Sequence, residues 1–213
     1  MEKNIEIRSY AEAPTLNEDG RTIEGYAVVF GQRSEVMYDW SVKYGERLFV
    51  EVIEQTAIDE ALLSRSDIKA TAEHNRERLL ARYNKGKGTL ALEKDDYGLK
   101  YRFDAPNTND GNFAVEMIQR GDISGSSFAF RVKDADTTWK KEGETWVRTI
   151  HKISGLYDVT ITTDPAYSQT DVTVRSIADL EIPETPEAPE EKPEVRNDES
   201  YKIQLELLKR KFN

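Results

Sequence analysis

The 213-residue sequence has no cysteine and only two histidines, His74 and His151. Without thiols there is no disulfide framework, no thiolate metal site and no cysteine nucleophile. The two histidines do not stand at a ligand spacing such as His-x-x-x-His, so a zinc hydrolase fits poorly and neither metal nor cofactor is expected. No run of about 18 apolar residues could span a bilayer. Residues 1–8 lack the apolar stretch of a signal peptide, so the chain is expected in the cytoplasm of the cell that makes it. Positive charge is scarce as well: 30 Lys and Arg stand against 40 Asp and Glu, a formal net charge of −10. A general nucleic-acid binder carries a basic face that displaces counterions from phosphates, which argues against that class.

The acidity is concentrated in one place. Residues 179–200 hold nine acidic and two basic side chains, leaving a net of only −3 for the rest of the chain. Four of the seven prolines, Pro183, Pro186, Pro189 and Pro193, fall in that same stretch. Such a segment cannot bury enough apolar area to offset the entropy of ordering it, and it reads as an extended, disordered linker. Beyond it, Tyr201, Leu205, Leu208 and Phe212 recur at helical spacing with Lys209, Arg210 and Lys211 near the end, which predicts a short amphipathic helix over 201–213. The organisation expected is one domain over 1–178, a linker over 179–200 and this terminal helix. The 38% hydrophobic content suffices for a single core.

Within the domain, alternating apolar patterns predict strands over 4–10, 22–30, 67–73, 88–93, 99–104, 126–132, 146–153, 157–163 and 171–175. Hairpin turns are expected at 95–98 and 141–144. Helices are predicted over 54–63, with Ala57, Ile58, Ala61 and Leu62 on one face, and over 109–120, where Phe113, Met117 and Ile118 form the stripe and Gly121 ends it. Many short strands with few helices make an α+β fold, expected as a mostly antiparallel, closed or nearly closed β-barrel flanked by helices.

The segment Gly121-Asp-Ile-Ser-Gly-Ser-Ser-Phe-Ala-Phe130 places three serines and two glycines at the turn from a helix into an apolar strand. A serine hydroxyl there can serve as a nucleophile if a base takes its proton, and histidine is the usual base. Read without further context, His74 is a strand-end histidine, the serines are small turn residues and Asp158 follows a turn at Ser154-Gly155. His151 reads most simply as structural. A carboxylate-based hydrolase drawn from Asp95, Asp96, Asp158 and Asp164 is a further option, weakened because 40 acidic residues guarantee chance pairs.

The order of motifs resembles the prohead maturation serine proteases of tailed bacteriophages, a family related in fold to the herpesvirus assembly proteases. Carrying the resemblance are Ile23-Glu-Gly-Tyr-Ala-Val-Val-Phe-Gly31, Glu73-His74-Asn75, the hairpin Gly88–Leu99, Gly125-Ser-Ser-Phe-Ala-Phe130 and Leu156-Tyr-Asp-Val-Thr-Ile-Thr-Thr-Asp-Pro-Ala-Tyr167. Glu54-Gln-Thr-Ala57 stands where the family has Pro-Gly-Ala-Phe. The resemblance implies Ser127 as nucleophile, with Ser126 as the alternative, and His74 as general base. It puts Asp158 in the orienting position where the phage proteins usually have Glu. Being one methylene shorter, Asp158 would need a closer backbone or help from His151. The implied activity is cleavage of scaffold, or of the scaffold-like segment of the major capsid protein, and of the protease itself inside the prohead. The partners implied are the major capsid protein, scaffold protein or both, and a second copy of the chain as dimer partner or autoprocessing substrate, with neither nucleic acid nor membrane. The tail would tether the enzyme to scaffold, which is wrong if deleting 180–213 leaves packaging unchanged. The competing class is a noncatalytic assembly module on the same barrel.

Overall fold

The computed structural model describes residues 5–41 and 45–163. Strand β1 (Glu6–Tyr10), the two-residue β2 (Thr15–Leu16) and β3 (Thr22–Val29) open the chain, followed by β4 (Met37–Ser41) and β5 (Gly45–Ile53). A 3-10 turn at Gln55–Ala57 leads to helix α1 (Glu60–Arg65), whose N-cap Asp59 accepts from the Leu62 N–H at 2.6 Å. Next come β6 (Asp67–Ala72), β7 (Asn75–Asn84), β8 (Lys87–Gly88), β9 (Leu90–Lys94) and β10 (Gly98–Asp104). Helix α2 (Asn109–Arg120) precedes β11 (Gly125–Val132), β12 (Thr137–Glu142), β13 (Thr145–Ile150) and β14 (Ile153–Thr162).

The fold is mostly β. Its strands form three sheets in the orders β1-β11-β14-β6-β7-β8, β2-β3-β10-β9 and β12-β13-β5-β4. No sheet's first strand pairs with its last, so no closed barrel forms among the described residues, contrary to expectation. Two pairings are parallel, β14 with β6 and β13 with β5. The expected helix over 54–63 is broken at Ile58, which adopts an extended backbone between the 3-10 turn and α1. The expected turn at Ser154-Gly155 is instead part of the continuous β14. Strands β2, β4, β5, β7 and β12 are additional to the expected set. The predicted strand over 171–175, the linker and the terminal helix lie outside the described residues.

The core lies on the inner face of the six-stranded sheet, where Phe128, Phe130, Val159, Ile161, Ile68 and Ala70 pack with Ile23, Val28, Leu99 and Tyr101 of the β2-β3-β10-β9 sheet. β3 approaches β11 so closely at Gly25 that a Cβ there would lie 2.8 Å from the Tyr101 hydroxyl oxygen and 3.3 Å from Ser126 Oγ. Glycine is thus required by space at the third position of the Ile23–Gly31 motif.

Helix α2 delivers the chain to β11. The Thr108 hydroxyl caps its start by accepting from the Gly111 N–H at 3.2 Å. At its end Gly121 takes the left-handed conformation at φ 77°, and the Gly121 and Asp122 N–H groups return to the carbonyls of Ile118 and Met117. Arg78 of β7 lies 4.1 Å over the Phe113 ring and donates to Asp110, which docks α2 on the sheet.

β1 is fastened from the other side by a buried charge network. Arg8 Nε and Nη2 donate to Glu51 and Glu6 at 2.8 Å each, and Arg148 donates to both carboxylates. Burial would by itself raise the Glu6 carboxyl, but the Arg148 and Arg8 guanidiniums outweigh it and hold the group down at about 2. Since apolar packing in place of a buried ion pair is often as stabilising, the network's clearest effect is to hold β1 of the first sheet against β5 and β13 of the third.

Candidate active site

Period-2 alternation gives β11 two chemically different faces. Phe128 and Phe130 enter the core. Ser126 shares that face, and its hydroxyl meets the buried Tyr101 hydroxyl at 2.8 Å. Ser127 points the opposite way. Its register partners are Ser9 on β1 and Thr160 on β14, and Thr160 in turn faces Thr71 on β6. Four hydroxyl side chains therefore form one row across four adjacent strands, away from the core.

The carboxylate lies on this face by the same alternation, two residues before Thr160, and a bulge sits directly beside it. Asp158 pairs with Ala129 while Leu156 pairs with Phe130, leaving Tyr157 as the extra residue. In an unbroken strand Leu156 and Asp158 would share a face. The bulge lets Leu156 join the core while Asp158 faces outward.

The imidazole arrives from a turn. β6 and β7 are joined by Glu73 and His74, both left-handed, at φ 55° and 53°, between the paired residues Ala72 and Asn75. Positive φ at both central residues suits the twist of a tight hairpin. His74 Nδ1 lies 2.8 Å from Asp158 Oδ1, and Nε2 lies 2.6 Å from Ser127 Oγ. The Ser127 residue is 1% exposed, while the imidazole is 21% exposed, so the group meets solvent on the histidine side.

These distances define the proton positions of a neutral ring. Asp158 can only accept, so Nδ1 carries the hydrogen and Nε2 accepts from the Ser127 hydroxyl. Ser127 Oγ also receives the Ser9 hydroxyl at 3.0 Å and has a second acceptor, the Arg8 carbonyl oxygen, at 2.9 Å. One hydroxyl has one proton. With neutral His74 it goes to Nε2, the nearer acceptor; with protonated His74 it turns to Arg8 and the serine is no longer activated. Such a chain can withdraw the Ser127 proton as the oxygen attacks a carbonyl, then deliver it to a departing amine.

A family model described as caudovirus prohead serine protease matches residues 3–182. The chain belongs to this family. It is a serine protease of the kind that acts in phage capsid maturation. No curated protein and no solved structure matches the chain.

Of the residues that sequence marked in this protease, the structure gathers Ser127, His74 and Asp158. It does not gather Ser126, which is turned into the core, or His151. The latter lies just after β13, with Nδ1 2.9 Å from Glu54 Oε2 and Nε2 2.9 Å from the Thr138 hydroxyl. The shorter aspartate therefore reaches His74 through its own strand position, without help from His151. Among the other carboxylates, Asp95 is held by the Tyr97 and Gly98 N–H groups of its turn and Asp96 by Gln55, while Asp164 lies outside the described residues. Ser9, Thr71, Thr160 and the Arg8 carbonyl were not anticipated as neighbours of the group. Thr160 contacts Asp158 Oδ1 at 3.4 Å and Thr71 Oγ1 at 2.6 Å. Their signal was available in the alternation of polar residues along β6 and β14, but only the parallel pairing of those strands makes it one site.

Proposed function

We propose that Ser127 is the nucleophile, His74 the general base and Asp158 the residue that orients the imidazole, and that this site cleaves peptide bonds of scaffold or of a scaffold-like segment of the major capsid protein within the prohead, as well as the protease chain itself. The carrying observation is the unbroken Ser127–His74–Asp158 hydrogen-bond chain at 2.6 and 2.8 Å. Family membership supports the setting. Ser127 Oγ attacks the scissile carbonyl carbon while His74 Nε2 takes its proton; the same proton then passes to the leaving nitrogen, giving an acyl-enzyme and a free amine. Water repeats the sequence and releases the new carboxylate. Asp158 retains its charge throughout and stabilises the imidazolium. Enclosure in a shell raises the local concentration of cleavable segments, so a modest intrinsic rate suffices.

The test is co-expression of the wild-type chain, Ser127→Ala and Ser126→Ala with the capsid and scaffold proteins of the cognate phage, followed by masses of all products. Cleavage is expected with wild type and Ser126→Ala only. Processing that survives Ser127→Ala would move the nucleophile elsewhere, and no processing by any chain would favour a noncatalytic assembly module.

A further inference from the structure

The β6–β7 turn breaks a local rule. Two-residue turns with both central residues at positive φ favour Asn-Gly, because a Cβ is strained there. Here Glu73 and His74 occupy the two positions. Strained backbone persists only where its surroundings hold it. The holding contacts come from one side chain: Glu73 Oε1 accepts from the Thr163 N–H at 2.7 Å and Oε2 from the Thr162 hydroxyl at 2.8 Å. The Glu73 N–H adds a bond to the Ile161 carbonyl at 3.1 Å. The same end of β14 holds the entry to β11, since Ser124 donates through its N–H to the Thr162 carbonyl and through its hydroxyl to the Thr163 carbonyl, each at 3.1 Å. One corner thus joins the strand that carries Ser127, the strand that carries Asp158 and the turn that carries His74.

We propose that Glu73 is a positioning residue of the protease: its carboxylate bolts the strained turn to the end of β14 and so sets the His74 imidazole between Ser127 and Asp158. This rests on the roles proposed above for those three residues. Displacements near 1 Å are enough to lower a rate roughly 100-fold when reacting groups must be aligned, so a bolt two bonds strong has a kinetic consequence separable from folding.

Glu73→Gly separates the two effects, because glycine accepts the positive φ without strain and removes only the bolt. Glu73→Gln is the conservative partner: its carbonyl oxygen can still accept from Thr163 and its amide can donate to the Thr162 hydroxyl. The first readout is the low-field Nδ1 proton of His74 in the NMR spectrum of the histidine-labelled full chain, assigned with the help of His151→Asn. The second is the pH profile of inactivation by a fluorophosphonate, resolved into kinact and KI. Expected for folded Glu73→Gly are loss of the low-field proton and a kinact lower by roughly tenfold or more at unchanged KI, with Glu73→Gln close to wild type in both. A Glu73→Gly protein that keeps the proton and the wild-type kinact overturns the proposal. Should Glu73→Gly fail to fold, Thr162→Val removes one of the two bonds and leaves the turn sequence intact; a kinact lowered severalfold supports the bolt, and a wild-type value with the proton retained overturns it. Failure of the underlying reading would show elsewhere, as wild-type inactivation of Ser127→Ala or His74→Ala.

Discussion

Each of the three grouped residues has a distinct task in the proposed mechanism, and their substitutions are expected to differ in kind. Asp158→Asn keeps the size of the side chain but can donate to Nδ1, which favours the tautomer with the hydrogen on Nε2 and leaves Ser127 without an acceptor. Peptide cleavage is expected to fall on the order of 10³- to 10⁴-fold with the fold intact, measured as kcat/KM beside thermal unfolding; a loss below about tenfold would mean that Asp158 is not the orienting group. Ser126→Ala is the contrasting case. It strands the buried Tyr101 hydroxyl, so a stability loss of roughly 1–3 kcal/mol in urea titration is expected together with unchanged cleavage. A large fall in cleavage by a folded Ser126→Ala protein would place the neighbouring serine in the chemistry after all.

At the scale of elements, the chain that matters is α2, its cap and β11. Gly121→Ala forces a Cβ into left-handed backbone, with an expected cost of about 1 kcal/mol in stability and little change in cleavage, because the cap sets where β11 starts rather than how Ser127 is oriented. An unchanged or raised unfolding midpoint would show that the cap is not strained by a side chain. This element was legible in the sequence: a periodic stripe ended by glycine and followed by an apolar run gave α2 and β11 with nearly their final limits. Asp158 was harder to place. Ser154 and Gly155 resemble a turn by composition, and no sequence pattern distinguishes a turn from a bulged strand whose extra residue, Tyr157, puts Leu156 and Asp158 on opposite faces. β4, β5 and β12 also escaped: Met37-Tyr-Asp-Trp-Ser41 and Thr137-Thr-Trp-Lys-Lys-Glu142 lack clean apolar alternation, and β5 gains its place in the sheet from the parallel pairing with β13, which is distant in sequence. The positions of Ser127 and His74 in the family pattern were readable, whereas Ser9, Thr71 and Thr160 became neighbours only through sheet order.

For the molecule as a whole, the buried Glu6–Arg8–Glu51–Arg148 network ties the N-terminal strand, which covers Ser127 through Arg8 and Ser9, to the third sheet. The Glu6 carboxyl is depressed from 4.5 to about 2. A depressed acid contributes stability that is complete above its unfolded value and is lost as pH falls toward its folded value. Urea unfolding is therefore expected to show stability declining between about pH 4.5 and 2, with a shallower decline in a folded Glu6→Gln variant; identical slopes would remove Glu6 from the acid response. The proposed catalytic assembly depends on this larger frame, because the parallel β14–β6 pairing and the placement of β1 bring together residues from four separate parts of the chain. The most direct test of Ser127 as the nucleophile is the mass of the purified full-length protein after fluorophosphonate treatment, with the adduct mapped by peptide fragmentation. A single adduct on Ser127 that fails to form in His74→Ala is the expected result, and an adduct on Ser126, or one on Ser127 that forms equally fast without His74, would contradict it.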